Sequence, residues 1–274
     1  MAVLDVEFFS RALMRNVSFK AVLPNDKQHM HGNDKLKTLY LLNGIFGSGK
    51  DWLMQTTLQE MAERKKLAVI LPNGENRFYV DHVQSGSLYS TYIAEELVAF
   101  TRSIFPLSCA QEDTYIAGLS MGGYGALVNG LNHPETFSMI GAFSPALIIE
   151  DAVRSVEDSS LPLINRRSYY ASLFGDLDQL KGSIWDYDRL IEDETSQFVF
   201  LACGKQDFLY PQVSRFAQKL DGAPIRSEIV FEDGDHNWDF WRPCLEKFID
   251  LLPLDPNACY IGSGQACSME DILY

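Results

Sequence analysis

Short apolar runs alternate along the chain with longer stretches whose apolar residues recur every three or four positions, the pattern of strands alternating with amphipathic helices. The runs at 37–44 (KTLYLLNG), 67–74 (LAVILPNG) and 113–120 (DTYIAGLS) are apolar almost throughout, as strands covered on both faces are. Helical spacing follows at 51–66 (DWLMQTTLQEMAERKK), 89–105 (stopped by Pro106) and 122–133 (stopped before Pro134). A further strand is expected at 137–147. The alternation resumes with strands at 196–204 and 226–234 and helices at 211–220 and 239–252. Such an order implies an α/β fold with a mostly parallel sheet and helices on both faces.

Three segments fall outside that rhythm. Residues 17–24 (VSFKAVLP) alternate like a strand and lead into a polar loop, 25–37, that reads as a hairpin connection. The loop holds His29 and His31, a pair spaced to bind metal, but no Cys or carboxylate stands at ligand spacing beside them. Residues 147–194 are acidic, with only short helical patches, and read as a cap-like excursion over one end of the sheet. The tail from Asp255 follows the last good helix, so residues 1–254 are expected to form one domain and 255–274 a surface tail of unknown role.

Composition narrows the classes of function. At 274 residues and 46% hydrophobic, the chain supports a sizeable core. A formal net charge of −14 repels polyanions, so nucleic acid and acidic membrane are not expected partners. No apolar run approaches the roughly 18 residues of a membrane span, and the amino terminus is not a secretory signal. The five cysteines (Cys109, Cys203, Cys244, Cys259 and Cys267) are odd in number, irregularly spaced and contain no C-x-x-C. Reduced thiols in a cytoplasmic protein are therefore expected, rather than a disulfide framework or a zinc site.

The chemistry centres on 117–123 (AGLSMGG), where a strand passes directly into a helix. Gly118-x-Ser120-x-Gly122 is the nucleophile-elbow pattern: the turn is too tight for a β-carbon two residues either side of the serine. A serine hydroxyl needs a base to take its proton. His133 reads as a turn residue and His82 precedes the serine, against the order Ser, acid, His. His236, in the loop before the last helix, is the expected base. Asp207, running off the strand at 196–204, is the expected acid. Asp235 is the fallback, while Asp233 shares the histidine's own loop and Asp176 and Asp188 lack a strand end to position them.

The loop Gly44-Ile45-Phe46-Gly47-Ser48-Gly49-Lys50 nearly matches the phosphate loop G-x-x-x-x-G-K-[ST]. Position 51 is Asp where that loop needs a hydroxyl for Mg²⁺, so a carboxylate would face the phosphates. The loop instead suits an oxyanion, with Ile45 N–H as one donor, Phe46 next, and Met121 N–H, after the nucleophile, as the other.

The stretches MAVLDVEFFS, LYLLNGIFGSGKDW, LPNGENRFYVDHVQSG, TYIAGLSMGGYGA and GDHNWDFW together resemble the tributyrin-esterase group of lactic-acid bacteria and streptococci. That group lies within the esterase D/S-formylglutathione hydrolase family. The resemblance runs from Met1 to about Leu254. It implies an α/β-hydrolase fold and hydrolysis of short-chain acyl esters, with Ser120, Asp207 and His236 as the triad and no metal or organic cofactor. Asn43 departs from it, standing where the group usually has His. Phe46, Phe78, Tyr79 and Trp238 fall in segments expected near a small-molecule ester substrate. Alternatives are S-formylglutathione hydrolase, an acetyl or feruloyl esterase, and a hydrolase-fold protein that binds ligand without catalysis. The oligomeric state, a homo-oligomer included, is left open.

Overall fold

A computed structural model describes residues 1–24 and 35–254; the His29/His31 pair, Cys259, Cys267 and the 255–274 tail lie outside them. Among the described residues there are ten strands: β1 (Ala2–Ser10), β2 (Arg15–Leu23), β3 (Lys37–Leu42), β4 (Leu67–Pro72), β5 (Asp81–His82), β6 (Ser87–Leu88), β7 (Thr114–Leu119), β8 (Met139–Phe143), β9 (Phe198–Gly204) and β10 (Arg226–Glu232). Strands β5 and β6 form a small ribbon. The other eight make one sheet in the order β1-β2-β4-β3-β7-β8-β9-β10. β1, β2 and β4 pair antiparallel, and every pairing from β4 onward is parallel.

The central strands are apolar throughout because both faces are covered, with alternate residues going to opposite sides. Leu39, Leu41, Tyr115 and Ala117 join one core with Trp52, Leu58, Met61, Leu245 and Phe248. Tyr40, Leu42 and Ile116 join the other with Leu97, Leu127, Val213 and Phe216. Helices Lys50–Gln55, Leu58–Arg64 and Trp238–Leu251 thus cover one face. Helices Leu97–Ile104, Met121–Asn132 and Tyr210–Asp221 cover the other. The expected α/β architecture is the one observed. The 147–194 excursion carries short helices, including Ile149–Arg154 and Arg167–Phe174. It lies over the Met121–Asn132 helix, where Tyr124 O–H donates to Trp185 O at 2.9 Å.

Three local expectations need correction. The hairpin does not join β2 to β3, because β4 inserts between them; it joins β1 to β2 through Arg11–Met14. β1 itself, half-exposed at the sheet edge, has no clean alternation to announce it. The helix expected at 51–66 breaks into two at Thr56, which is extended (φ −135°, ψ 169°). Its hydroxyl accepts from Leu58 N–H at 3.1 Å, a side-chain bond that competes with the helical one. The helix expected at 89–105 contains a π-helical turn, Tyr92–Glu96, whose Glu96 carboxylate takes the Ser10 hydroxyl and Arg11 N–H.

Candidate active site

Four loops meet at the carboxyl ends of β3, β7, β9 and β10, the end of a parallel sheet where side chains from neighbouring strands converge. Ser120 sits directly after β7, with φ +54° and ψ −119°. A β-carbon on Gly118 would stand 2.4 Å from Gly122 O, and one on Gly122 would stand 2.5 Å from Leu42 O. Strand, turn and helix can approach this closely only because both positions are glycine. Ser120 N–H donates to Phe143 O at 2.8 Å and Tyr124 N–H to Ser120 O at 3.0 Å, fixing the serine between β8 and its own helix.

His236 Nε2 lies 3.0 Å from Ser120 Oγ, and His236 Nδ1 lies 2.8 Å from Asp207 Oδ2. An ionised carboxylate only accepts, so Nδ1 carries the ring proton and Nε2 faces the serine hydroxyl as acceptor. The Asp207 side chain is fully buried while that of His236 keeps 17% of its surface exposed. Burial pushes the Asp207 carboxyl up. Hydrogen bonds from His236 Nδ1–H and from Leu209 N–H (2.8 Å) lead the contributions that outweigh it and hold the carboxyl below the ordinary carboxylate range. Asp235 is placed differently, accepting the backbone N–H of His236 at 2.7 Å. His82 pairs with Ser85, His133 stands beside Glu135, Asp176 caps its own turn and Asp188 binds Lys219.

The loop after β3 is a tight turn in which Gly47 N–H donates to Gly44 O at 3.3 Å and Phe46 takes φ +64°. Phe46 N–H is engaged by Asn76 Oδ1 at 2.7 Å. Ile45 N–H has no acceptor among the described residues, and Met121 N–H opens its helix without an intrahelical one. The loop is braced from below by Asn43, which is 2% exposed. Its amide donates to Gly44 O (2.8 Å) and Gly47 O (3.0 Å) and accepts from Gly74 N–H (3.1 Å) and Tyr79 O–H (3.0 Å).

Two cavities open from Ser120. The larger, about 540 Å³, is walled by Phe78, Met121, Ile148, Tyr170 and Leu209 and reaches Asp151 and Arg154. The smaller, about 380 Å³, runs past His236 between the Gly-rich loop, Phe46, Trp238 and Trp241. Ile45, Ile164 and Phe208 border both. Among the described residues, no group of three or more His, Cys, Asp or Glu is arranged to hold a metal ion.

The model of the Esterase family, described as "Putative esterase", matches residues 10–250. The chain belongs to this family. An acetyl esterase of Caldicellulosiruptor saccharolyticus is 38% identical over 264 residues, spanning 92% of this chain and 98% of that protein. Among solved structures, the substrate-bound fluorophosphonate-binding serine hydrolase F of Staphylococcus aureus aligns with a TM-score of 0.78 and 26% identity over 92% of this chain and 98% of its own. An S-formylglutathione hydrolase of the same organism, as apoenzyme, aligns with the same score, identity and coverage. The protein is a serine esterase of the α/β-hydrolase fold, acting on carboxylic esters.

The remaining residues singled out in the sequence divide in this esterase. Phe46 and Trp238 line the smaller cavity and Phe78 the larger. Tyr79 lines neither: it is wholly buried, its hydroxyl held by Asn43 and its ring packed against Gly125. Sequence reasoning missed Asn76, Ser144, Phe208 and Trp241. The ring of Phe208, next to Asp207, lies 4.7 Å from that of His236, and Trp241 meets the imidazole edge-on at 4.8 Å. A Phe adjoining the acid and a Trp five residues after the base were visible signals; Asn76 and Ser144 carried none. No helix of the described residues is long and apolar enough to cross a membrane.

Proposed function

We propose that the esterase hydrolyses short-chain acyl esters, as the tributyrin-esterase group does, through Ser120, His236 and Asp207 and an acyl-enzyme. The observation that carries this reading is the unbroken hydrogen-bonded line from Ser120 Oγ through His236 to Asp207. His236 Nε2 takes the Ser120 proton as Oγ attacks the ester carbonyl. The carbonyl oxygen becomes an oxyanion between the N–H groups of Ile45 and Met121, where each donor is worth on the order of 10²–10³ in rate. Asp207 accepts Nδ1–H and stabilises the imidazolium, without itself being protonated. The alcohol leaves with the proton from Nε2. Water then attacks the acyl carbon, giving its own proton to Nε2, and the carboxylic acid departs as Ser120 regains its hydrogen.

An acetyl esterase at 38% identity supports a small acyl group. The likeness to an S-formylglutathione hydrolase at 26% identity gives the second reading. Against an anionic glutathione thioester stand Asp51 and Asp151 on the cavity walls, and Arg154 is already paired with Glu150 at 2.8 Å. The test is a series of p-nitrophenyl esters of rising acyl length beside S-formylglutathione, acetylated sugars and feruloyl esters. We expect kcat/KM to peak at short acyl chains and to be far lower on the thioester. A maximum on S-formylglutathione would replace the ester reading.

A further inference from the structure

The turn after β3 holds a residue ill suited to it. Gly47 N–H closes the turn on Gly44 O at 3.3 Å, and Phe46, its third residue, takes φ +64°. Ile45 is not left-handed, so the turn is of type II, whose third position favours glycine. Phenylalanine strains the backbone there, and flipping the Ile45–Phe46 peptide to the type I form relieves that strain. The same flip reverses the peptide dipole next to the Ile45 N–H, and it swings the Phe46 ring that walls the smaller cavity.

A side-chain hydrogen bond opposes the flip. Phe46 N–H, carried by that same peptide, donates to Asn76 Oδ1 at 2.7 Å. Asn76 is itself left-handed at φ +57°, a region that asparagine enters more readily than most residues. Around it Glu75, Phe78 and Tyr79 hold φ of +45°, +54° and +58° without being glycine. A segment so strained persists only where its surroundings hold it. Here Glu75 accepts from Arg15 at 2.6 Å and from Tyr89 O–H at 2.8 Å, and Asn129 Nδ2 donates to Tyr79 O at 3.0 Å. From the excursion, Tyr169 O–H on the helix Arg167–Phe174 donates to Asn76 O at 2.8 Å. Tyr169 lines the larger cavity, whereas Asn76 lines neither.

We propose that Asn76 is a positioning residue that latches the oxyanion turn in its type II form, and that Tyr169 fastens this latch to the wall of the larger cavity. The latch rests on the acyl-enzyme reading above and deepens it. The wall that substrate packs against and the turn that receives the oxyanion are joined through one residue that itself touches no substrate.

The test compares Asn76→Gly, Phe46→Gly, their combination, Tyr169→Phe and Ser120→Ala. Each is measured for kcat and KM on p-nitrophenyl butyrate and for the Ki of a trifluoromethyl ketone. Ser120 Oγ adds to the ketone carbonyl, its proton passes to His236 and the carbonyl oxygen becomes an oxyanion, so Ki reads the turn directly. Asn76→Gly keeps the left-handed backbone while removing the acceptor, and Phe46→Gly takes the type II form without help. We expect Asn76→Gly to lose roughly tenfold in kcat and in ketone affinity, with KM changed by less than about twofold. In the Phe46→Gly background the same change should cost less than about twofold, since no strained turn is left to hold. Tyr169→Phe should lose about two- to threefold and add nothing to Asn76→Gly, since it acts through Asn76. Wild-type kcat and ketone affinity in Asn76→Gly, with Ser120→Ala inactive, overturns the latch and leaves the triad standing. So does an equal loss in both backgrounds, which a general loosening of the loop gives. Additive losses for Asn76→Gly and Tyr169→Phe overturn the part given to Tyr169. Full activity in Ser120→Ala would remove the acyl-enzyme reading itself.

Discussion

Asn43 shows how a single side chain sets the Gly-rich loop after β3. Both of its amide protons and both acceptor sites of its oxygen are used within the protein, two bonds to the Gly-rich loop and two to the segment after β4. Neutral histidine offers one donor and one acceptor, so the group's usual residue could not make this set. The sequence marks Asn43 as a departure from the tributyrin-esterase group; in the structure it is a brace. Asn43→Ala leaves Gly74 N–H buried without its acceptor, while Tyr79 O–H keeps the backbone carbonyl of residue 43, a loss of about 1–3 kcal/mol. With the loop freed, kcat should fall on the order of 10–10²-fold. Chemical denaturation and ester kinetics check both, and unchanged values in either would remove the bracing role. At this scale the proposed triad was legible because serine, acid and base each sit at a marked place in the sequence. Asn76 and Ser144 were not, because their partners Phe46 and Trp241 lie tens of residues away and only folding brings them together.

At the scale of elements, the acid and base loops are fastened to each other. Lys205 N–H donates to Glu232 O at 2.9 Å and Gln206 N–H to Gly234 O at 3.0 Å, while Gln206 Oε1 accepts Gly234 N–H at 2.6 Å. Gly204 makes the approach possible, since a β-carbon there would stand 2.3 Å from Gly234 O. Gly204→Ala must push the two loops apart, separating Asp207 from His236 without altering either. We expect a loss of about 1–3 kcal/mol and a larger fractional loss in kcat than in substrate affinity. A variant with native kcat would show that the two loops have slack. The strands carrying these loops were readable from their apolar runs, because burial on both faces forces that composition. β1 escaped notice for the opposite reason: only one end of it is buried, and its edge position imposes no pattern. The break at Thr56 escaped because helical spacing continues in register across it.

Over the whole molecule, the sheet order explains why residues scattered from Asn43 to Trp241 converge. β7 lies at the centre with β3 on one side and β8 and β9 on the other, so the loops after β3, β7 and β9 rise from the same edge. The alternation of strands and helices foretold a parallel sheet with helices on both faces, but not the place of β4 between β2 and β3. Order within a sheet depends on pairings between segments far apart in the chain, and local sequence does not record them. The Gly-rich loop that nearly matches a phosphate loop follows the same logic: β3 pairing with β7 sets it beside the elbow, as the oxyanion role proposed for it requires. The most direct test of that account is covalent labelling with a fluorophosphonate, followed by peptide mapping of wild type, His236→Ala and Ser120→Ala. One adduct on Ser120 is expected in the wild type, with strongly slowed labelling without His236 and none without Ser120. An adduct elsewhere, or wild-type labelling in Ser120→Ala, would contradict it.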